Sequence, residues 1–99
     1  MDQGKLSWLS SWFSANCDGD WEHSFGLKIE TTDNPGWALE IDLTDTALEN
    51  RNFLTLEIER SETDWLKCWL DNSTFRIVCG ARNLPEAILS FRHWAETKT

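Results

Sequence analysis

The chain has no Tyr, no CxxC pair, no Walker loop, no GxGxxG and no zinc-ligand spacing. Each absence removes a class of function. Without a glycine-rich phosphate loop, nucleotide chemistry has no signature here. Cys17, Cys68 and Cys79 are odd in number, which favours free thiols in a reducing compartment over a disulfide framework. No stretch approaches the roughly 20 apolar residues of a membrane span. The opening MDQGKLSWLSSW lacks the apolar run of a signal peptide, so a cytoplasmic location is expected. There is no linker, internal repeat or low-complexity segment.

Positive charge is scarce in one half only. Residues 1–50 hold ten Asp or Glu against two Lys, a net of −8, and residues 51–99 hold seven acids and seven bases, a net of zero. A pI near 4.5 argues against nucleic acid as a direct ligand, because phosphates would be repelled, and against an anionic membrane surface. It suits a basic protein partner through electrostatic steering. The plainer alternative is that acidity only maintains solubility.

The 99 residues make one domain, 1–99, and 40% apolar residues are enough to fill its core. Seven of the residues are Trp. Most are expected in the core, although Trp is also enriched at interaction surfaces.

Residues 5–16 read as an amphipathic helix, with Leu6, Leu9 and Phe13 on one row and Trp8 and Trp12 on the next. Asn16 and Asp18-Gly19 end it. From Ser24 the period becomes two: Phe25, Leu27, Ile29 and Thr31 face one way, and Lys28 and Glu30 the other. Asp33-Asn34-Pro35-Gly36 is a turn signal. Alternation resumes with Trp37, Leu39, Ile41 and Leu43 against Ala38, Glu40 and Asp42, so an antiparallel hairpin with one wet face is predicted.

Residues 44–50 suggest a turn, or one helical turn capped by Thr44 or Asp45. A third strand is expected over Leu54–Glu59, followed by a second hairpin, 65–71 and 74–79, around Asn72-Ser73. That hairpin is apolar on both faces, which suggests that a helix covers one of them. Asn83, Pro85 and Glu86 mark a C-terminal helix opening with a capping box, and Leu84, Ile88, Phe91 and Ala95 share its apolar face. The expected fold is α+β: a five-stranded antiparallel meander sheet with an N-terminal and a C-terminal helix packed on it.

Three constellations could carry chemistry. Asp18, Asp20, Glu22 and His23 could hold a divalent metal, but DGDWEH has no EF-hand pattern and no second His at metal spacing. As part of an incoming strand, Asp20, Glu22 and Ser24 would face away from His23. Cys79-Gly80-Ala81-Arg82 lies between a strand and a helix, superficially like the anion loop of rhodaneses and cysteine phosphatases. Those loops place about five residues between Cys and Arg, whereas here there are two, so Cys79 reads better as a small core residue. His93 has no Ser or Cys near it in sequence. No catalytic role and no cofactor are expected; a small metal-binding or thiol-dependent enzyme using the 18–23 cluster or Cys79 is the alternative.

Trp8 and Trp12, then Cys17-Asp18-Gly19-Asp20-Trp21-Glu22-His23, Ile29-Glu30-Thr31 and Asp33-Asn34-Pro35-Gly36-Trp37 together resemble the immunity protein 53 family of bacterial polymorphic toxin systems. The resemblance is densest over residues 8–43. Members often carry Tyr where this chain has Phe13 and Phe25, a departure that keeps apolar bulk and removes a hydroxyl. The resemblance implies a non-catalytic cytoplasmic protein that binds and blocks a cognate toxin, for which a nuclease with a basic cleft is the candidate.

The residues expected to meet that partner fall into two groups. Asp18, Asp20, Trp21, Glu22 and His23 lie before the hairpin, and Asp33, Asn34 and Trp37 at its tip. Glu30, Glu40 and Asp42 project from its wet face. Trp21 or Trp37 would be the aromatic anchor. Against this stands a purely structural reading, in which DGDWEH clasps helix to sheet and Trp37 begins the core face. A homodimer is a further assembly left open.

Overall fold

Strict alternation on either side of a turn that only Asn, Pro and Gly make comfortable is what closes the first hairpin. In the computed structural model, which describes residues 3–97, strands β1 (Leu27–Thr32) and β2 (Gly36–Asp42) flank Asp33-Asn34-Pro35. They pair antiparallel with Leu27 opposite Ile41 and Ile29 opposite Leu39. Before them come helix α1 (Gln3–Asn16) and a single helical turn, α2 (Trp21–Ser24); after them come β3 (Leu56–Glu59), β4 (Trp65–Asp71), β5 (Thr74–Gly80) and helix α3 (Leu84–Glu96).

The five strands form one antiparallel sheet with helices at both ends of the chain, in the order β1-β2-β5-β4-β3. The order is therefore not a simple meander. β2 pairs with β5, setting Leu39 opposite Ile77 and Ile41 opposite Phe75, and all four are at most 1% exposed. Two strands so apolar on one face belong at the centre. β3, whose sequence LEIE puts two glutamates on the other face, suits an edge. Residues 43–55 carry the chain across to that edge. They are tied down by Leu43 N–H to the Ser73 carbonyl at 2.7 Å and by Arg51 Nη1, which donates to the carbonyls of Trp94 at 2.9 Å and Thr97 at 2.7 Å. A cation on the last carbonyls of a helix both satisfies them and complements the dipole.

Four local expectations are corrected. Residues 21–24 are a helical turn and not the start of the first strand, so Asp20, Glu22 and Ser24 do not share a strand face. The third strand begins at Leu56; Leu54 is 91% exposed. In the 44–50 segment the capping side chain is Thr46, whose Oγ1 donates to the Leu43 carbonyl at 2.7 Å and accepts from Leu48 N–H at 3.2 Å. Asn83 precedes α3 but makes no capping bond. Its Nδ2 donates instead to Asp64 Oδ1 and Glu86 Oε1, both at 3.0 Å. The turn at Asn72-Ser73 forms as expected, with Asn72 at φ 57, a left-handed conformation that Asn tolerates.

Both helices lie on the same face of the sheet. There Leu9 joins Leu39, Ile41, Leu66, Cys68, Phe75, Ile77, Cys79, Ala87, Ile88 and Phe91 in one buried cluster. Phe91 is its hub, with ring centroids 5.7 Å from Trp8, 5.1 Å from Trp12 and 5.1 Å from Phe75. Edge-on aromatic packing of this kind adds to plain area burial. The side of α1 that enters the core is thus Trp8, Leu9 and Trp12, leaving Leu6 53% and Phe13 37% exposed.

Candidate partner-binding surface

The segment DGDWE folds back on itself because it begins with an Asx turn. Asp18 Oδ1 accepts the N–H groups of Asp20 at 2.9 Å and Trp21 at 3.0 Å. The Glu22 carboxylate reaches back to the N–H groups of Asp18 at 3.0 Å and Gly19 at 2.9 Å. Gly19, at φ 97, supplies the left-handed residue the reversal needs. Amides pointing at a carboxylate favour its charged form. The amides of Trp21 and then Asp20 hold the Asp18 carboxyl below its ordinary range, and Glu22 is lowered by its own N–H and those of Asp18 and Gly19.

Trp21 completes this clasp. It is 5% exposed, its Nε1–H donates to the Thr44 carbonyl at 2.8 Å, and its ring lies 6.2 Å from Trp12 and 5.9 Å from Phe13. A ring so placed joins α1 to the sheet and offers no free face to a partner. Asp20 and His23 remain exposed.

At the end of the hairpin nearest the clasp is an open cleft of about 300 Å³, lined by Glu22, His23, Lys28, Glu40 and Asp42 among others. Asp42 closes its floor: its Oδ2 accepts Gly26 N–H at 3.0 Å, and its own N–H donates to the Gly26 carbonyl at 2.9 Å. The structure thus brings Glu22, His23, Glu40 and Asp42 together. It does not bring Asp33 and Asn34 with them, because the tip lies at the other end of the hairpin, about 20 Å of strand away. At the tip, Thr32 Oγ1 donates to Asn34 Oδ1. Trp37 faces the helices, half-buried, with Nε1–H on the Ala81 carbonyl at 2.9 Å.

From the cleft the surface continues over the face of the sheet that no described helix covers. Register places Lys28 beside Glu40 and Glu30 beside Ala38, then Glu40 beside Arg76 and Ala38 beside Val78. Beyond them lie Lys67 beside Val78 and Trp69 beside Arg76, and finally Glu57 beside Lys67 and Glu59 beside Trp65. Arg76 bridges the strands, its Nη1 2.8 Å from Glu40 and its Nε 2.9 Å from Asp71. Lys67 Nζ sits 5.4 Å from the Trp69 ring centre. The face therefore has half-buried Ala38 and Val78 on its inner strands and half-buried Trp65 and Trp69 on β4, with carboxylates toward both edges.

Sequence reasoning missed Trp65 and Trp69, having read the second hairpin as covered on one of two apolar faces. The signal was present: Trp65, Lys67 and Trp69 alternate with Leu66, Cys68 and Leu70, and a lysine between two Trp marks the wet side. Glu57 and Glu59 were likewise missed because they belong to the electrically neutral half of the chain.

Among the described residues no three His, Cys, Asp or Glu groups converge as metal ligands, and the carboxylates of Asp18 and Glu22 are already engaged by backbone amides. Cys79 is a buried core residue whose thiol burial pushes up to about 11, and Cys68 on the neighbouring strand is pushed up to about 12. Burial thus disfavours the thiolate form of both. Among the described residues no helix is long and apolar enough to cross a membrane.

Compared with known proteins, the chain matches the sequence model of one family, described as immunity protein 53, over residues 6–96. No curated protein and no solved structure matches it.

Proposed function

We propose that this chain, which belongs to the immunity protein 53 family, binds a cognate toxin through the uncovered face of its sheet and neutralises it without catalysis of its own. The carrying observation is the match of the family over residues 6–96. The face supports it physically, having the composition of a protein interface: Trp on β4, Arg on β5 and charge toward the edges.

In this reading Glu30, Glu40 and Asp42 present the acidic side of the surface, and the cleft beside Glu22 and His23 extends it. Asp20 flanks that cleft, whereas Asp18, Trp21 and Glu22 contribute by holding the clasp in shape. Asp33, Asn34 and Trp37 would touch the partner only if it also reaches the hairpin tip. Trp69, and neither Trp21 nor Trp37, is the aromatic anchor. The partner is a basic protein acting in the cytoplasm, such as a nuclease whose phosphate-binding cleft accepts the carboxylates in place of substrate.

Co-expression with a cognate toxin tests this. Wild type is expected to protect the host cell, Glu40→Lys and Trp69→Ala to protect poorly while folding normally, and Asp20→Ala to fall between them. Full protection by both Glu40→Lys and Trp69→Ala would refute this choice of surface.

A further inference from the structure

Among the described residues the sheet has two free edges, β1 and β3, and their sequences differ in one respect that decides what can pair with them. At the open end of the β1–β2 ladder the N–H of Asp42 meets the carbonyl of Gly26, which fixes the phase of the ladder. Even-numbered residues of β1 direct their backbone groups toward β2, and Leu27, Ile29 and Thr31 direct theirs outward. Between them Lys28 and Glu30 project from the uncovered face, and neither has an ion pair among the described residues.

We propose that β1 is the interface for a second copy of this chain, pairing antiparallel about a two-fold axis at Ile29. In that register Ile29 meets its mate as a hydrogen-bonded pair and Leu27 meets Thr31. Lys28 then lies opposite Glu30 on both sides of the axis, at the non-hydrogen-bonded positions where side chains come closest. Both cross-strand pairs are therefore of opposite charge, a favourable arrangement. The axis runs perpendicular to the sheet, as an isologous contact of this kind requires, so the helix faces of both copies lie on the same side.

That symmetry also accounts for an apolar groove the monomer leaves open. A space of about 350 Å³ lies between α1 and β1, lined by Leu6, Leu9, Ser10, Phe13, Leu27 and Ile29, and Ile29 is itself 37% exposed. Pairing at Ile29 brings the two grooves edge to edge across the axis. The opposite edge supplies an internal contrast. Centred on Ile58, self-pairing of β3 sets Glu57 against Glu59 twice, and like charges directly opposite disfavour it. One edge complements itself and the other repels itself.

Sedimentation equilibrium on the full chain, at concentrations up to about 0.5 mM, tests this. Wild type is expected at twice the 11.5 kDa chain mass. Lys28→Glu and Glu30→Lys, confirmed folded by circular dichroism, should each raise the dimer Kd by at least about tenfold. The double swap, Lys28→Glu with Glu30→Lys, should restore it, and Glu59→Lys should leave it unchanged. A monomer throughout the range overturns the proposal, as does a dimer indifferent to both single variants. A swap that fails to rescue overturns the register. Slowed exchange of the Ile29 amide only when toxin is added, with none on self-association, would assign the edge to the toxin instead.

Discussion

Replacing Trp21 separates the two readings of the DGDWEH segment. The side chain is 5% exposed, packs between Trp12, Phe13 and Phe25, and donates from Nε1 to the Thr44 carbonyl at 2.8 Å. Truncating a buried ring of this size to alanine costs about 3–5 kcal/mol, through lost transfer free energy and the cavity left behind. For a domain of 99 residues that amounts to a fall in Tm of roughly 15–30 °C. Trp21→Phe keeps most of the ring and removes the donor, leaving the Thr44 carbonyl short of one partner at a cost of about 1–2 kcal/mol. The order of stability should be wild type, Trp21→Phe, Trp21→Ala, measured by thermal and urea unfolding. Asp20→Ala, one residue away with an exposed side chain, should leave Tm unchanged. A Trp21→Ala protein melting within a few degrees of wild type would refute the claim that this segment clasps α1 to the sheet.

The remaining predictions concern charge and thiols. Asp18 and Glu22 have folded-state pKa values below their ordinary 3.8 and 4.5, so the stability they contribute is present above about pH 4.5 and is lost as pH falls through the lowered values. Melting curves from about pH 6 to about pH 3 should drop less steeply for Asp18→Asn and Glu22→Gln than for wild type; parallel curves would contradict the hydrogen bonding described. In native protein a thiol reagent should label Cys17 at most, because Cys68 and Cys79 are buried, and all three after unfolding; prompt native labelling of Cys79 would reopen a thiol-dependent activity. The association rate with a basic toxin should fall steeply as ionic strength rises. A rate that ignores salt would remove the steering argument.

The hairpin at 27–42 was legible because its signals are local: period-two alternation, a turn that few residues can make, and a wet face of opposite polarity. The C-terminal helix was legible for the same reason, from Pro85 and the spacing of Leu84, Ile88 and Phe91. Strand order was not, because it depends on whether the free edge of β2 takes β3 or β5, and only the match of Leu39 and Ile41 with Ile77 and Phe75 across many residues decides that. Trp21–Ser24 is one turn long, too short for a period to show. In the site, Asp18 and Glu22 were visible as a turn with acids, but whether a carboxylate faces solvent or its own backbone is settled by the path of four residues around Gly19. Acids on the uncovered face are not confined to the first half of the chain: β3 carries Glu57 and Glu59 to the same face as Glu30 and Glu40.

The most direct test is the affinity of the purified chain for its toxin, measured calorimetrically with variants chosen by position. Glu40→Lys and Trp69→Ala, on the uncovered face, should each weaken binding by at least about tenfold, while Asp33→Lys at the hairpin tip should change it little. Undiminished affinity in both face variants, or a loss confined to Asp33→Lys, would place the partner elsewhere on the molecule.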